Sequence, residues 1–160
     1  MDTILIRKVT ESDTHSILNN IFTRNTLVEV ESQVKDSINE MAEGRRIHLV
    51  AVHEDKVVGN ILIIKEQHVL YSHRCILKDM IVNPAFQHKG IAKRLFEEGC
   101  KHLGEINCSH VVTTCRSNGT ENFYKALGMT ECGRIPNGIL EPWDENKLYN
   151  EVILYKEFLK

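Results

Sequence analysis

The sequence lacks any apolar run close to the ~20 residues that a helix needs to cross a lipid bilayer. It also lacks the basic start and long apolar stretch of a signal peptide, because the acid Asp2 directly follows Met1 and the next apolar run is short. We therefore expect a cytoplasmic protein without a membrane partner.

A surplus of one charge is missing as well. Lys and Arg together number 20, Asp and Glu 22, and the formal net charge is -2. This balance differs from the acidic bias of many disordered chains and from the basic surplus of nucleic-acid binders, so no nucleic-acid partner is predicted. Since 42% of the 160 residues are hydrophobic, residues 1–160 suit a single domain.

Cysteine pairs with the spacing of a metal or redox motif are absent. The five cysteines are an odd number and none stands in a C-x-x-C pair, which argues against a disulfide framework. The eight histidines do not show the i, i+4 spacing of a helical zinc site in the pairs His68 and His73 or His48 and His53. We expect no metal.

The spacing of apolar residues predicts a mixed α/β domain built on one sheet. Strands are predicted near residues 4–7, 48–52, 57–64, 75–82, 111–115, 129–135 and 149–155. Helices are predicted after residues 10–13, from about Ser32 to Gly44, over residues 91–103 and over residues 120–127. Turn-forming residues at 134–143, which include the only tryptophan, predict a long loop between the last two strands.

The turn before the strongest helix has the features of an anion site. Asn83-Pro84 ends a strand, and residues 87–92 (Gln-His-Lys-Gly-Ile-Ala) open the helix. The first amides of a helix have no intrahelical partners and carry the positive end of its dipole. Gly90 and the small Ala92 would let a phosphate approach the backbone closely, and Lys89, Lys93 and Arg94 add positive charge nearby.

Two segments resemble the GNAT superfamily (GCN5-related N-acetyltransferases). Residues 79–92 are similar to its strand-4, pyrophosphate-loop and helix-3 signature, and residues 122–129 (Asn-Phe-Tyr-Lys-Ala-Leu-Gly-Met) are similar to its FY-x-x-x-GF ending. Ala92 stands where glycine is commoner, and Met129 replaces the usual aromatic residue. The resemblance implies a GNAT fold, that is, a central mixed and mostly antiparallel twisted sheet flanked by about four helices.

The resemblance also implies acetyl-CoA (coenzyme A) as co-substrate and the residues that would bind it. The pantetheine arm would pair with the backbone of Met80, Ile81 and Val82. The pyrophosphate would be surrounded by the turn and the helix start, namely Gln87, His88, Lys89, Gly90, Ile91, Ala92 and Lys93. Asn118 and Asn122 are both candidates for an asparagine that contacts the cofactor on the next helix.

Acyl transfer to an amine needs a proton donor for the departing thiolate, a site for the developing oxyanion and a base for the amine. Tyr124 is the candidate donor, since a phenol has an ordinary pKa of about 10. A backbone N–H around Met80 or Ile81 is the candidate oxyanion donor. Asp79 is the first candidate base, and the alternatives are Glu66, His68 and His73.

The resulting hypothesis is an N-acetyltransferase that transfers an acetyl group directly from acetyl-CoA to a primary amine of a small molecule or a peptide. Two alternatives stay open. Residues 59–61 (Gly-Asn-Ile) and 79–82 (Asp-Met-Ile-Val) faintly resemble glucosamine-6-phosphate N-acetyltransferases, although Lys78-Asp79 stands where those enzymes tend to have Glu-Asp. A non-catalytic acyl-CoA-binding module would keep the turn without needing Tyr124. The segment at 134–143, with Trp143, is predicted to cover the acceptor pocket or to form a homodimer contact.

Overall fold

The computed structural model describes residues 3–158, and Asp2 lies outside this range. Within it, seven strands form one sheet and four α-helices cover its faces. The strands are β1 (Leu5–Lys8), β2 (Arg46–His53), β3 (Lys56–Lys65), β4 (Arg74–Val82), β5 (His110–Arg116), β6 (Thr130–Glu141) and β7 (Lys147–Glu157). The helices are α1 (Thr14–Asn20), α2 (Leu27–Ala42), α3 (Ile91–Lys101) and α4 (Thr120–Ala126). In this described part of the chain, no helix has both the length and the apolar character needed to span a membrane.

The strand order is β1-β2-β3-β4-β5-β7-β6. All neighbouring strands run antiparallel except β4 and β5. Those two are parallel because the chain returns to the same end of the sheet through α3, as a parallel connection requires. The predicted fold class, a mixed and mostly antiparallel sheet with about four flanking helices, is confirmed.

The two faces of the sheet are covered by different helices. Successive side chains of a strand point to opposite faces, so in β2 Leu49 and Ala51 join the apolar cluster that includes residues of α3 and α4. Val50 packs instead with the buried residues of α1 and α2. The central strands β2, β3 and β4 therefore carry apolar residues on both faces.

Two glycines set how closely α3 approaches the sheet. A Cβ at Gly59 of β3 would lie 3.0 Å from Leu95 and 3.2 Å from Ile91, and a Cβ at Gly99 would lie 2.9 Å from the Cδ1 of Ile63. Such distances are shorter than a relaxed van der Waals contact, so larger residues would push the helix outward. The close packing fixes the first turn of α3 beside the end of β4.

The predicted start of the second helix is wrong by five residues. The helix begins at Leu27 rather than near Ser32, because Thr26 caps it: its hydroxyl accepts from the amide of Glu29, and the Glu29 carboxylate accepts from the amide of Thr26. This T-x-x-E capping box is visible in the sequence. The additional turn places Glu29 above the sheet.

The predicted long loop at residues 134–143 is also wrong. Strand β6 continues to Glu141, and only residues 142–146 form the turn to β7. The turn-forming residues 136–138 instead produce a bulge, with Asn137 at a φ of 54° and its amide donating to Oδ1 of Asn150. Because β6 is an edge strand, Pro136 interrupts no ladder on its outer side.

Candidate active site

The sheet opens along one side of β4. Only three residues of β4 pair with β5, and the last pair is Ile76 with Val112. One further link joins the strands, since the Thr113 hydroxyl donates to the Leu77 carbonyl at 3.1 Å. Beyond that point β4 continues to Val82 without a register partner on β5. An extended chain can therefore pair with this free edge, as a strand added to a sheet would.

A bulge lies in the middle of the unpaired stretch of β4. The register with β3 shifts between Asn60 and Leu62, so β4 contains one more residue than β3 there. Asp79 occupies this bulge in the left-handed region, with a φ of 50°. Its carbonyl accepts a hydrogen bond of 2.9 Å from Nδ2 of Asn60. This hydrogen bond holds the peptide group between Asp79 and Met80 in a defined orientation.

The turn that follows β4 presents free amides at the start of α3. Asn83 ends the strand, its Oδ1 accepting from the amide of Ala85. His88 (φ 62°) and Gly90 (φ 80°) then take left-handed conformations, and Gly90 is the N-cap and offers no side chain to the helix. Within residues 3–158, no hydrogen-bond partner is found for the amides of residues 88–90. The backbone of this turn thus presents consecutive amides without a protein partner, as an anion site would require.

The basic side chains near this turn have different partners. Lys89 lies over the ring of Phe86, with Nζ 5.2 Å from the ring centroid. Lys93 is exposed on the first turn of α3, and its Nζ is 3.9 Å from a carboxylate oxygen of Glu97. Arg94 points elsewhere, since it donates to the carbonyl of Ile4 at the opposite edge of the sheet. The backbone amides and the two lysines are the groups available to an anion.

A cleft of about 450 Å³ joins these features, and we call it the α3 cleft. Its lining residues are Met80, Val82, Phe86, Gln87, His88, Gly90, Ile91, Ala92, Lys93, Thr120, Phe123 and Tyr124. The free edge of β4 forms one wall and the first turn of α3 another. A long ligand with an anionic group in its middle and an amide-bearing arm suits this shape, because the amides meet the anion and the strand edge meets the arm.

Tyr124 lies at the inner end of the α3 cleft and is 7% exposed. Burial raises the pKa of its phenol to about 12, and the nearby Thr113 hydroxyl opposes part of that shift. The phenol therefore stays protonated throughout the ordinary pH range. Because Thr113 is also the last link between β4 and β5, Tyr124 is placed where the sheet opens.

The two asparagines considered for cofactor contact are exposed and do not line the α3 cleft. Asn118 is occupied at the start of α4, where its Oδ1 accepts from the amide and the hydroxyl of Thr120. Thr120 and Phe123 line the cleft instead and were missed in the sequence. Phe123 and Tyr124 follow Thr120 at i+3 and i+4, so both lie beside Thr120 on the surface of α4, and this spacing is visible in the sequence.

A second cleft, the α2 cleft, has a volume of about 500 Å³ and lies on the α2 face of the sheet. It is lined by Val28, Glu29, Ser32, Gln33, Asp36, Arg46, Leu62, Ile64, Lys78 and Asp79. Asp79 is half-buried there, and its Oδ2 accepts from Nε2 of Gln33 at 3.4 Å. The contribution of α2 was missed because Glu29, Gln33 and Asp36, spaced four and three residues apart, share a face only once the helix start is known.

The three other candidate bases lie at the far end of β4. Glu66 pairs with Arg74 at the start of that strand, and His68 accepts from the amide of Leu70 in the preceding turn. His73 packs edge-on against His110. Six residues of extended strand separate His73 from Asp79, which corresponds to roughly 20 Å. None of the three reaches either cleft.

Solved structures of acetyltransferases share this fold. An acetyltransferase of the GNAT family from Streptococcus pneumoniae has a TM-score of 0.82 at 17% identity, covering 98% of this chain and 100% of that one. YncA from Salmonella typhimurium, solved with its cofactor acetyl-CoA, has a TM-score of 0.83 at 14% identity, covering 98% and 95%. A ribosomal-protein-alanine N-acetyltransferase from Brucella melitensis has a TM-score of 0.80 at 20% identity, covering 96% and 99%. The likeness establishes the class of fold.

Comparison with curated protein sequences gives no significant match. The sequence profile of the Acetyltransferase (GNAT) family matches residues 14–129. The chain therefore belongs to the acetyltransferase (GNAT) family, which confirms the resemblance found in the two motifs. It is an acetyl-CoA-dependent N-acetyltransferase in the general sense of that family.

Proposed function

We propose that this enzyme binds acetyl-CoA in the α3 cleft and transfers the acetyl group directly to a primary amine that enters from the α2 cleft. One observation carries the proposal: the bulged stretch of β4 contributes Asp79 to one cleft and Met80 to the other. The unpaired edge of β4 lies beside Tyr124, so an amine, a thioester and a proton donor can meet there.

The binding roles follow from the free hydrogen-bonding groups of the backbone. The amides of residues 88–93 bind the pyrophosphate, and Lys89 and Lys93 add charge at its rim. The open edge of residues 80–82 pairs with the pantetheine arm. A side-chain Cβ at Gly90 would meet nothing within 4 Å, so this position faces open space where a phosphate can approach. Bound acetyl-CoA supplies the activated acetyl group and a thiolate leaving group.

The chemical roles are assigned to three groups of the chain. Asp79 accepts a proton from the acceptor ammonium and leaves the neutral amine that attacks. The Met80 amide donates to the acetyl oxygen as negative charge develops on it. Tyr124 donates its proton to the thiolate when the carbon–sulfur bond breaks. A thiolate in this apolar cleft is itself destabilised by desolvation, which makes it a better proton acceptor than a thiolate in water.

The acceptor cleft is polar and carries both charges. Glu29, Asp36 and Asp79 are acidic, whereas Arg46 and Lys78 are basic. This mixture suits an amine that carries a further polar or anionic group, either a small molecule or a peptide. The resemblance to amino-sugar-phosphate enzymes gains no support from Asn60, because that side chain is fully buried and cannot contact an acceptor.

The binding half of the proposal is tested by calorimetry of the full chain with CoA. Gly90→Asp places a carboxylate among the helix amides, and Gly90→Asn is the matched control, because it puts a side chain of the same size at the same φ of 80° without a charge. We expect at least a tenfold loss of CoA affinity for Gly90→Asp, since two like charges about 4 Å apart near a protein surface repel each other by roughly 4 kcal/mol, and tenfold needs only about 1.4 kcal/mol. Gly90→Asn should lose clearly less affinity than Gly90→Asp. If folded wild-type protein does not bind CoA, the proposal is wrong.

The transfer half is tested by release of free thiol from acetyl-CoA in the presence of amines. The panel includes amino sugars and their phosphates, polyamines, amino acids and peptides with a free α-amine. Peptides are included because one protein of similar structure is named a ribosomal-protein-alanine N-acetyltransferase. We expect thiol release that depends on one class of amine. Binding of acetyl-CoA without thiol release for any amine would favour the acyl-CoA-binding module instead.

A further inference from the structure

A continuous chain of hydrogen bonds runs beneath the bulge of β4. Arg46 Nη1 lies 3.0 Å from Ser37 Oγ, and Ser37 Oγ lies 2.7 Å from His48 Nδ1. His48 Nε2 lies 2.6 Å from Oδ1 of Asn60, whose Nδ2 reaches the carbonyl of Asp79 at 2.9 Å. Ser37, His48 and Asn60 are 0% exposed. Four links thus connect a charged guanidinium with the backbone at the centre of the site.

The direction of every donor in this chain is determined. The Asn60 amide nitrogen donates to Asp79, so its Oδ1 is the acceptor and His48 must carry its proton on Nε2. Burial lowers the pKa of His48 to about 4, so the ring is neutral and Nδ1 accepts from the Ser37 hydroxyl. The Ser37 oxygen in turn accepts from Arg46. All donors point towards the Asp79 carbonyl.

A chain of hydrogen bonds with one direction polarises its members cooperatively. Its last acceptor, the Asp79 carbonyl, belongs to the same peptide group as the Met80 amide. The structure contains no cis peptide bond among the described residues, so this N–H points away from Asn60 on the opposite side of the planar group. Met80 lines the α3 cleft, where the thioester is placed by the proposed function.

We propose that Ser37, His48 and Asn60 are positioning residues that aim and polarise the Met80 amide towards the thioester carbonyl of acetyl-CoA. The inference rests on the proposed function and deepens it. Asp79 has a positive φ, which a non-glycine residue keeps only when its surroundings hold it there. The hydrogen bond from Asn60 to the Asp79 carbonyl holds the bulge in this conformation. Without the Asn60 hydrogen bond, the peptide group can rotate and the Met80 amide loses its direction.

Removing the chain should therefore affect chemistry more than binding. The pyrophosphate and pantetheine contacts do not involve the three residues, so the Kd for acetyl-CoA should change by less than about threefold. A misplaced catalytic contact can lower kcat by roughly a hundredfold. We expect a tenfold to hundredfold loss of kcat in His48→Leu, about the same in Asn60→Leu, and a smaller loss in Ser37→Ala.

The decisive measurement is the infrared carbonyl band of acetyl-CoA labelled with ¹³C at the carbonyl and bound to the full chain, because it needs no acceptor. A donor at the carbonyl oxygen lowers the band frequency relative to free acetyl-CoA. We expect the lowered band in wild-type protein, a return towards the free value in His48→Leu and Ser37→Ala, and partial recovery in His48→Gln, whose amide can both donate and accept. Val34→Ala is the control, because this buried α2 residue belongs to the same core but not to the chain.

The outcomes separate the two proposals. A wild-type band without a lowered frequency, or the same band in wild type, His48→Leu and Ser37→Ala, would overturn the role of the chain while leaving acetyl-CoA binding intact. An equal shift in Val34→Ala would reduce the three residues to ordinary core packing and would also overturn it. Failure of the wild type to bind acetyl-CoA would overturn the proposed function and the inference together. If His48→Leu does not fold, Ser37→Ala removes only a hydroxyl and carries the test.

Discussion

The replacement Tyr124→Phe isolates a single hydroxyl at the inner end of the α3 cleft. The aromatic ring, which supplies the packing, is retained, and only the hydroxyl near Thr113 is lost. A single neutral hydrogen bond contributes no more than about 0.5–1.5 kcal/mol to the free energy of unfolding. The variant should therefore fold, bind acetyl-CoA with a Kd close to that of the wild type, and differ mainly in the chemical step.

The expected loss of kcat is about a hundredfold or more, the usual contribution of a positioned general acid. The pH dependence gives a second criterion. Because the pKa of the folded-state phenol is about 12, Tyr124 does not lose its proton in an assay between pH 6 and 10. The substitution should lower the plateau of kcat against pH without moving its alkaline limb.

The same pKa shift predicts how stability depends on pH. The pKa of Tyr124 in the folded protein lies above its unfolded value of about 10. The buried neutral phenol therefore contributes its full stabilisation of the fold below pH 10, and this stabilisation disappears as the pH rises through 12. Two pKa units correspond to about 3 kcal/mol. Alkaline unfolding in this window should consequently be less steep in Tyr124→Phe than in wild type.

The assay measures thiol release at saturating acetyl-CoA and saturating acceptor, with calorimetry for binding and urea unfolding for stability. Tyr71→Phe is the matched control, since Tyr71 is exposed at the far end of β4 and loses the same hydroxyl. A kcat within threefold of wild type for Tyr124→Phe, with chemistry shown to limit the rate by single-turnover measurements, would refute the role of the phenol.

Three further perturbations test other parts of the molecule. Asp79→Asn, which tolerates the positive φ, should lower kcat/KM for the acceptor by about tenfold to a hundredfold through loss of the base, as measured by initial rates. Trp143→Ala removes the ring that Arg24 covers at 4.4 Å. If Trp143 covers the acceptor pocket, KM for the acceptor should rise about twofold to fivefold, which is the magnitude of one exposed cation–π contact. If Trp143 forms a dimer contact, the oligomeric mass measured by light scattering should change. Asp13→Asn should lower the free energy of unfolding by about 1.5–3 kcal/mol at pH 7, because Asp13 accepts two hydrogen bonds from Arg7.

Each of these has its control and its contrary result. For Asp79→Asn the control is Asp55→Asn, which alters an exposed turn and should leave kcat/KM unchanged. Equal rates for wild type and Asp79→Asn would show that Asp79 is not the base. Unchanged acceptor kinetics together with unchanged mass would reject both roles of Trp143. Burial raises the pKa of Asp13, but the Arg7 and Thr10 hydrogen bonds outweigh it and lower the pKa overall. Its stabilisation should thus be present above pH 4 and be lost as the pH falls below it, and Asp13→Asn should flatten this acid dependence.

The local elements and the backbone of the turn before α3 could be predicted from the sequence because their causes are local. Alternating or continuous apolar residues specify strands, and the spacing of Ile91, Leu95 and Gly99 specifies one face of α3. The glycine at position 90 and the proline at position 84 act on their own backbone. The two family motifs each lie within a short segment, so their identification did not depend on contacts between distant residues.

The parts that depend on pairing between distant residues could not be predicted in this way. Residues 136–138 have the composition of a loop, yet pairing of β6 with β7 retains them in a bulged strand. The predicted start of the second helix was wrong for a local reason, since the T-x-x-E cap precedes Ser32 in the sequence. The polar lining that this helix gives to the α2 cleft, in contrast, exists only when the helix crosses the sheet.

The sequence by itself determined the order of strands and helices, most of their boundaries, the left-handed turn before α3 and the family. Tertiary structure decided where β4 leaves β5, that Asp79 and Met80 serve different clefts, and that Ser37, His48 and Asn60 form one chain across α2, β2 and β3. The reason is physical: propensity and capping act over a few residues, whereas hydrogen bonds between strands and helices join residues whose separation along the chain carries no periodic signal.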